Sequence, residues 1–504
     1  MAVKMRTLIL ILICVLVWGF KINPSESWKE RKGQKMINVS LNQLPVEIDP
    51  TKLRMMEHFL LLQLYSQTLV RVDESGELVS YLAKRWEYDT KKKEYIFSLD
   101  PNAKFSDGSI VTSRDVAWSL SRHFWIGSPS IVANYLKVAL ANTDPIQANH
   151  IHPAFKVINN HTLSIQLKSF YHPLLHVLSM PGFSITKYQE KDFKAIGSGP
   201  LKLEHDENIK KLIFLRNKFF QGSIELNQVT VFEAPIFETT KKMFADGVID
   251  LALGLNLSDL SLKASSSLGL AITPSESLAT IHAYINTKGV LRDDEYRQAM
   301  SSILSATADD FSKSNSLVER LNNFLPVGIM PKYYYKHPVQ NKQGTAPKES
   351  IKIVLNQNIF PVEFVDMLKM RARERNVSIV VVLCTGAELI ETFKNKNYDI
   401  VGSRYVGNFP DPDAYIDFIN SDSPIHAGEF DSKSLFASLE KSRFESDQEL
   451  RLSEYVKSFH EFEQKNYFIP LFRSKIPIVH RKELSFPNTK FRYEGELWRI
   501  FWKN

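Results

Sequence analysis

Hydrophobic and polar positions along the first half of the chain predict both helices and strands. TSRDVAWSLSRHF (112–124) has a helical pattern. Thr112 or Ser113 can cap its first turn, where Asp115 faces the positive end of the helix dipole. Runs typical of strands are EYIFSL (94–99), HTLSIQL (161–167) and KLIFLRN (211–217). The pattern therefore predicts that helices and strands are mixed in this half.

From residue 351 the pattern becomes strand, helix, strand. IKIVLN (351–356) is followed by a helix that Pro361 can begin, and then by NVSIVVVLC (376–384), which is typical of a strand buried on both faces. A further strand ends at YDIVGS (398–403). Crossovers of this length imply parallel strands and right-handed connections. The second half is therefore predicted to contain an α/β domain.

The segment YVGNFPDPDAY (405–415) follows that last strand. Its two prolines, Pro410 and Pro412, remove backbone donors and push the residues before them toward extended conformations. In open α/β sheets, ligands bind at the carboxyl ends of the strands. Two interpretations stay open: a rigid loop that contacts a ligand, or a structural turn that leads into the helix DAYIDFIN.

The N-terminus has the layout of a secretory signal. Lys4 and Arg6 precede an apolar run over 8–20, which is shorter than the roughly 20 residues that a membrane-spanning helix needs. We expect residues 1–27 to be a signal peptide and the protein to be periplasmic; an N-terminal membrane anchor is the alternative. Cys14 has apolar residues on both sides, so a lipoprotein anchor is not expected.

Composition and charge narrow the class of protein. The chain has 504 residues, of which 44% are hydrophobic and 24% are charged, as in an ordinary globular protein of two or three domains. The formal charge of +7 is scattered along the chain, so nucleic acid is not an expected partner. Without residues 1–27 the remaining cysteine is Cys384, which we expect to be an inert, buried thiol.

Signatures of catalysis and metal binding are missing from the sequence. It contains no GxSxG, HExxH, GxxxxGK[ST] or GxGxxG motif. His172 and His176 are four residues apart, but two ligands without a third do not make a metal site, and the apolar residues around them favour a packed segment. We therefore expect no cofactor, no metal and no enzymatic activity.

A set of motifs, in order from about residue 37 to the end of the chain, carries a family resemblance. The motifs include VSLNQLPVEIDP (39–50), GSGPLKLE (197–204), DGVIDLALG (246–254), AYINTKGVLRDDEYRQAM (283–300) and NYDIVGSRYVGNFPDPDAY (397–415). With these motifs the chain resembles the extracellular solute-binding proteins of family 5. This is the oligopeptide, dipeptide and nickel class that provides the receptor components of ABC importers.

The resemblance implies an α/β fold of the periplasmic-binding-protein type (type II, cluster C), with two mixed α/β lobes, an extra inserted domain and a ligand cleft between lobes. The first lobe is expected to combine residues 28–62, 196–286 and 471–504. The inserted second lobe is expected at 63–195 and the third lobe at 287–470. The hinge would lie in two crossing connections, near the ends of the third lobe.

The function that the resemblance implies is that of an exported receptor. It would capture a peptide or peptide-like solute by hinge closure and deliver it, as a monomer, to a membrane permease and ATPase. Three alternatives stay open. The solute can be a glycan, a peptidoglycan fragment or a metal chelate. The fold can also serve as a ligand sensor without transport, or the protein can be a secreted hydrolase.

The resemblance also implies a set of ligand-binding residues: Asn42, Gln43, Leu44, Tyr135, His282, Ser403, Arg404, Tyr405, Asn408, Phe409 and Asp411. Several have structural alternatives. Asn42 and Gln43 can cap a turn, and Tyr405 can pack in the core. Arg404 needs a partner, which can be Asp411 or a ligand carboxylate.

Asn408 departs from the family pattern. In the peptide-binding members this position is typically an aspartate that pairs with the α-ammonium group of the ligand. An amide of nearly the same shape carries no charge and loses most of that attraction. Either Asp411 or Asp413 takes over this role, or the peptide is held without strict anchoring of its amino end, or the ligand is not a peptide.

Overall fold

The structure is a computed structural model. It describes residues 26–53, 56–73, 75–190, 193–204, 211–255, 269–275, 277–336, 338–339, 343–418, 433–486 and 497–503. The predicted signal peptide lies outside these ranges except for Glu26 and Ser27, so it stays a prediction. Within the described ranges, none of the helices combines the length and the apolar character needed to cross a membrane.

Helices and strands are mixed throughout the described residues. The α-helices are α1 Ser27–Gln34, α2 Met56–Tyr65, α3 Ser113–Ser121, α4 Ala133–Lys137, α5 Leu174–Ser179, α6 Phe237–Ala245, α7 Asp294–Ser314, α8 Val362–Glu374, α9 Gly386–Asn395, α10 Lys433–Ser442 and α11 Gln448–Gln464. The strands of the first half are β1 Met36–Leu41, β2 Val70–Val72, β3 Leu78–Ser80, β4 Ala83–Asp89, β5 Glu94–Leu99, β6 Phe155–Asn159, β7 Thr162–Gln166, β8 Leu201–Glu204, β9 Lys211–Arg216, β10 Gln228–Glu233 and β11 Leu251–Ala252. The later strands are β12 Leu270–Ser275, β13 Ala279–Ile285, β14 Val318–Arg320, β15 Ile351–Asn356, β16 Ile379–Cys384, β17 Ile400–Val406, β18 Phe468–Ser474, β19 Ile476–Arg481, β20 Leu484–Ser485 and β21 Phe501–Trp502.

The first sheet joins strands from distant parts of the chain, in the order β12-β19-β11-β1-β10-β9-β8. β1 runs parallel to both β10 and β11, so the carboxyl ends of these three strands meet at one edge. The buried carboxylate of Asp250 connects three distant parts of the chain at this sheet. It accepts hydrogen bonds from Arg31 (2.7 Å) and Arg481 (3.1 Å), and from the backbone N–H of Asn38 (2.9 Å).

The second sheet has the order β14-β18-β13-β17-β15-β16. β15 is parallel to β16 and to β17, which confirms the predicted strand–helix–strand units. The prediction that 376–384 is buried on both faces is wrong. β16 is an edge strand, on which Val380 and Val382 are exposed while Cys384 is buried. A continuous apolar run therefore did not distinguish an edge strand from a central one.

A four-stranded sheet, β4-β5-β7-β6, belongs to the segment predicted to be inserted. Helix α3 packs beside it and begins as predicted. Thr112, rather than Ser113, is the N-cap, and it forms a capping box with Asp115. The predicted strands at 94–99, 161–167 and 211–217 are β5, β7 and β9. The α/β class is therefore confirmed.

The chain passes between the two large sheets twice, and the two passages lie side by side. One runs from β12 to β13, and the other runs from β18 to β19. The hydroxyl of Ser277 in the first passage donates a hydrogen bond to the carbonyl oxygen of Ser474 at the second (3.0 Å), and both residues are buried. The two passages are therefore joined where the sheets meet.

Candidate functional site

The segment 403–409 stands at the carboxyl end of β17. β15 pairs with residues 400–402 only, so β17 continues past its parallel neighbour while still pairing with β13. Along this extension Arg404 is exposed, whereas Ser403 and Tyr405 are half-buried. The segment therefore lies at the sheet edge where the pattern of an open α/β sheet predicts a ligand.

Tyr405 supports the turn that follows. Its hydroxyl donates a hydrogen bond to the carbonyl of Ala414, and its ring lies 5.3 Å from the ring of Tyr415. Gly407 leaves space for the side chain of Tyr415, because a Cβ at residue 407 would lie 2.5 Å from the Tyr415 hydroxyl. The structure therefore gives Tyr405 the packing role that the sequence left open. The following residues form a 3₁₀-helix, Pro412–Phe418.

Asp411 is engaged by an arginine that the sequence analysis did not identify. Its two oxygens accept hydrogen bonds from Arg451 at 2.6 and 3.0 Å, and both residues are buried. Oδ1 also accepts from the backbone N–H of Asp413 (2.8 Å), so Asp411 caps the turn. The alternative in which Arg404 pairs with Asp411 is therefore wrong. A ligand contact for Asp411 would have to displace these partners.

Asp413 forms a second buried ion pair. Arg443 donates to its Oδ1 (2.6 Å), as does the hydroxyl of Tyr455 (2.9 Å), while the hydroxyl of Tyr171 donates to Oδ2. Burial is the largest influence and opposes ionisation of Asp413, but the charges of Arg443 and Arg451 and the hydrogen bond from Tyr171 together outweigh it, so the pKa of this carboxyl is lowered. Neither Asp411 nor Asp413 is thus a spare carboxylate for a ligand ammonium group.

Asn408 and Phe409 meet Tyr135 from the predicted inserted segment. The amide nitrogen of Asn408 donates a hydrogen bond to the Tyr135 hydroxyl, and the ring of buried Phe409 meets the Tyr135 ring edge-on at 5.7 Å. With its nitrogen engaged in this way, the half-buried Asn408 side chain has its carbonyl oxygen left to accept a hydrogen bond. The structure therefore brings these three predicted residues together.

The loop after β1 lies at the corresponding edge of the first sheet. The amide nitrogen of Asn42 donates to the carbonyl of Gly254 (2.5 Å), so its side chain contacts a distant loop rather than capping its own turn. The backbone N–H of Leu44 donates to Glu233 (3.3 Å), and the side chain of Gln43 is exposed. Within the described residues, no hydrogen bond or ring contact links this loop with 403–409.

His282 lies in the core. Its ring is fully buried, stacks on Phe324 at 4.8 Å and meets Phe468 at 5.5 Å. Burial lowers its pKa to about 3, so the ring is neutral at ordinary pH. His282 therefore packs in the core rather than beside 403–409.

Sequence reasoning missed the residues that hold the segment from behind: Tyr171, Arg443, Arg451 and Tyr455. Tyr171 lies about 240 residues before its partner, and no motif marked it. The two arginines are eight residues apart, on or just after different helices. The only available signal was the repeated aspartate in PDPD, since two buried carboxylates need two cations.

Two surface grooves lie away from this site. Their volumes are about 400 and 540 Å³, and they share Ser223 and Arg499. Neither is lined by any of the predicted ligand-binding residues.

Comparisons with known proteins agree with this architecture. The model of the bacterial extracellular solute-binding proteins, family 5 Middle, matches residues 77–342. The periplasmic oligopeptide-binding protein OppA of Salmonella typhimurium is 21% identical over 446 residues, which cover 79% of this chain and 80% of OppA.

Two solved structures show the same fold. NikA from Brucella suis in complex with Fe(III)-EDTA has a TM-score of 0.78 at 18% identity, and the match covers 93% of this chain and all of that chain. The periplasmic binding protein DppA from Helicobacter pylori, in complex with the peptide STSA, has a TM-score of 0.74 at 16% identity, with 95% and 100% covered. The expected periplasmic-binding-protein fold is confirmed.

Proposed function

This chain belongs to the bacterial extracellular solute-binding proteins of family 5, and we propose that its solute is a peptide or a peptide-like molecule. It would capture the solute between the two large sheets and deliver it to the permease and ATPase of an ABC importer. No chemical reaction is part of this role. The exported, periplasmic location belongs to the same proposal and depends on the predicted signal peptide.

The position of 403–409 is the observation that carries the proposal. The segment extends β17 past its parallel neighbour and offers the exposed Arg404, the half-buried Ser403 and the Asn408 amide. The buried ion pairs of Asp411 and Asp413 hold the segment in this conformation, so its polar groups are preorganised for a ligand. The loop after β1 would face it from the other large sheet, with Gln43 exposed.

Hinge closure would use the two passages between the sheets. The resemblance implies that these passages lie at the ends of the expected third lobe, near residues 286 and 471. Strands β13 and β18, however, both pair within the second sheet, so we propose the hinge at 277–278 and 474–476. Ligand that contacts both sides of such a hinge stabilises the closed form.

The neutral Asn408 supports a ligand whose amino end is not held by an ion pair. Its side-chain oxygen can accept from an amide N–H as well as from an ammonium group. Blocked or modified peptides are therefore suitable solutes. The same observation favours a second candidate function, which is binding of a non-peptide solute such as a glycan, a peptidoglycan fragment or a metal chelate.

Native mass spectrometry of the gently purified protein tests the proposal, because family members are expected to retain ligand from the cell. We expect masses of peptides or modified peptides that leave on denaturation. Recovery of sugars or metal chelates alone would refute the peptide and support the second candidate. Conversion of a bound peptide to shorter products would instead support a hydrolase.

The genes that neighbour the gene for this protein distinguish a role in transport from a role in sensing. A permease and an ATPase encoded next to it would support delivery to an importer. A sensor kinase in their place would support a ligand sensor without transport.

A further inference from the structure

A second contact joins the predicted inserted segment to the segment 287–470. It lies between residues 168–172 and the region that includes Asp413 and residues 444–446. The hydroxyl of Tyr171 donates a hydrogen bond to Asp413, and Nε2 of His172 lies 3.0 Å from the carbonyl oxygen of Ser446. The ammonium group of Lys168 lies 4.5 Å above the ring of Phe444.

The Tyr171 hydrogen bond ends on the support of the ligand-facing segment. Asp413 donates its backbone N–H to Asp411, which follows Phe409 and Pro410 directly. Asn408, at the start of this run, contacts Tyr135 of the same inserted segment. The inserted segment therefore holds 408–413 at both ends, through one tyrosine hydroxyl at each.

The contact suits repeated opening and closing. When Tyr171 leaves, Asp413 keeps Arg443 and Tyr455, which both belong to 287–470, so the carboxylate is not left unpaired. Water can replace the lost hydroxyl on one carboxylate oxygen and can solvate the freed tyrosine. Breaking the contact therefore leaves no buried charge without a partner.

We propose that Tyr171 is a positioning residue that latches the inserted segment onto the third lobe and thereby sets how often the cleft is closed before solute arrives. The contacts of the latch are between protein groups, so it acts without solute. This inference rests on the proposed function for the idea that the lobes open and close. It adds that the solute-free protein already favours closure through a contact of its own. Solute then increases this preference for the closed form.

Two tyrosine variants with the same carboxylate partner test the latch. Tyr171→Phe removes a hydrogen bond to Asp413 across the lobes, and Tyr455→Phe removes one to Asp413 inside 287–470. Both variants delete a single buried hydroxyl, so both should lose similar thermal stability. Only the first should change the opening equilibrium.

Opening is measured by pulsed electron paramagnetic resonance distances in solute-free protein. Spin labels are placed on cysteines that replace the exposed Lys91 and Lys369, in a Cys384→Ser background. Tyr171→Phe is expected to lower the ratio of short to long distances about tenfold, as fits the loss of a hydrogen bond to a charged group. Phe444→Leu, a second change in the same contact, should act in the same direction.

Unchanged distances in Tyr171→Phe, or an equal change in Tyr455→Phe, would overturn the latch. Because these distances need no solute, the outcome is separate from the mass-spectrometric test of the ligand. A protein that binds peptides but shows unchanged distances would keep its proposed function and lose the latch. A single, invariant distance in all variants would refute hinge opening itself.

Discussion

The side-chain nitrogen of Asn408 donates a hydrogen bond to the hydroxyl of Tyr135, a residue 273 positions away in the chain. In this arrangement the side-chain oxygen of Asn408 is the end of the amide that is left to accept a hydrogen bond. The remaining oxygen accepts hydrogen bonds without a charge, so it does not require a cationic partner.

Asn408→Asp should therefore create a preference for free amino groups. We expect about fivefold tighter binding of tri-alanine, since a hydrogen bond to an ionised group stabilises by about 1 kcal/mol more than a neutral one. N-acetyl-tri-alanine, the matched control, should gain nothing. Isothermal titration calorimetry measures both. Equal gains for the two peptides would mean that the amino end does not lie at residue 408.

Arg404→Met tests the other end of a peptide. Arg404 is exposed on the extension of β17, and Asp411 is engaged by Arg451 instead. If Arg404 pairs with a ligand carboxylate, the variant should bind tri-alanine about tenfold more weakly and bind its C-terminal amide almost as before. An identical loss for both peptides would show that the arginine does not contact the carboxylate.

Arg451→Met should destabilise the protein strongly. It leaves the buried Asp411 without its cation, and breaking a buried pair from one side costs about 3–5 kcal/mol. Lys242→Met, which removes an exposed pair with Asp246, is the control and should cost at most about 0.5 kcal/mol. Urea unfolding followed by circular dichroism measures both values. Similar costs would show that the Asp411 pair contributes no more than a surface pair.

Glu463→Gln should change how stability depends on pH. Burial raises the pKa of Glu463 from 4.5 to about 7, even though Tyr334, Phe324 and Asn323 donate hydrogen bonds to it. Folding therefore favours the protonated acid. Its stabilising contribution is complete below pH 4.5 and is lost as pH rises to about 7, a change of about 3 kcal/mol. In the Glu463→Gln variant this decline should be absent. The same decline in both proteins would contradict a protonated Glu463.

His282→Leu should remove a pH dependence of stability that has the opposite sign. The pKa of His282 falls from 6.5 to about 3 on folding because of burial, so the unfolded chain binds a proton that the folded ring does not. Stability should fall by about 1.4 kcal/mol per pH unit from this residue as pH drops from 6.5 towards 3. The variant should lose that slope. Chemical denaturation at half-unit pH steps measures it, and an unchanged slope would mean that the folded ring can be protonated.

Much of the fold was predictable because local signals were consistent with it. The capping residues at 112–115 and the strands at 94–99 and 351–356 follow from spacing alone. The exposure of Val380 and Val382 did not, since a run of valines has the same pattern at the edge of a sheet as in its centre. Which strand ends a sheet depends on long-range pairing, and that is not encoded within the run itself.

The candidate site was predictable in part. The position of 403–409 follows from the parallel strand before it, and the resemblance connected Tyr135 to the same place. The partner of Asp411 did not follow, because Arg451 was one of many arginines and only the folded chain selects it. His282 shows the converse problem: a strand position that matches the family can still point its ring into the core.

Asp250 has a consequence for the order in which the chain matures. Its carboxylate joins Arg31 to Arg481, which is synthesised 450 residues later, and β11 beside it pairs with β19. The sheet that contains β1 therefore cannot be completed until β19 has been synthesised. The sheet that contains the early strand β1 is thus completed only late in synthesis. A chain cut short before β19 is not a smaller receptor but an unfinished one, whose open sheet edge is available for pairing with other chains.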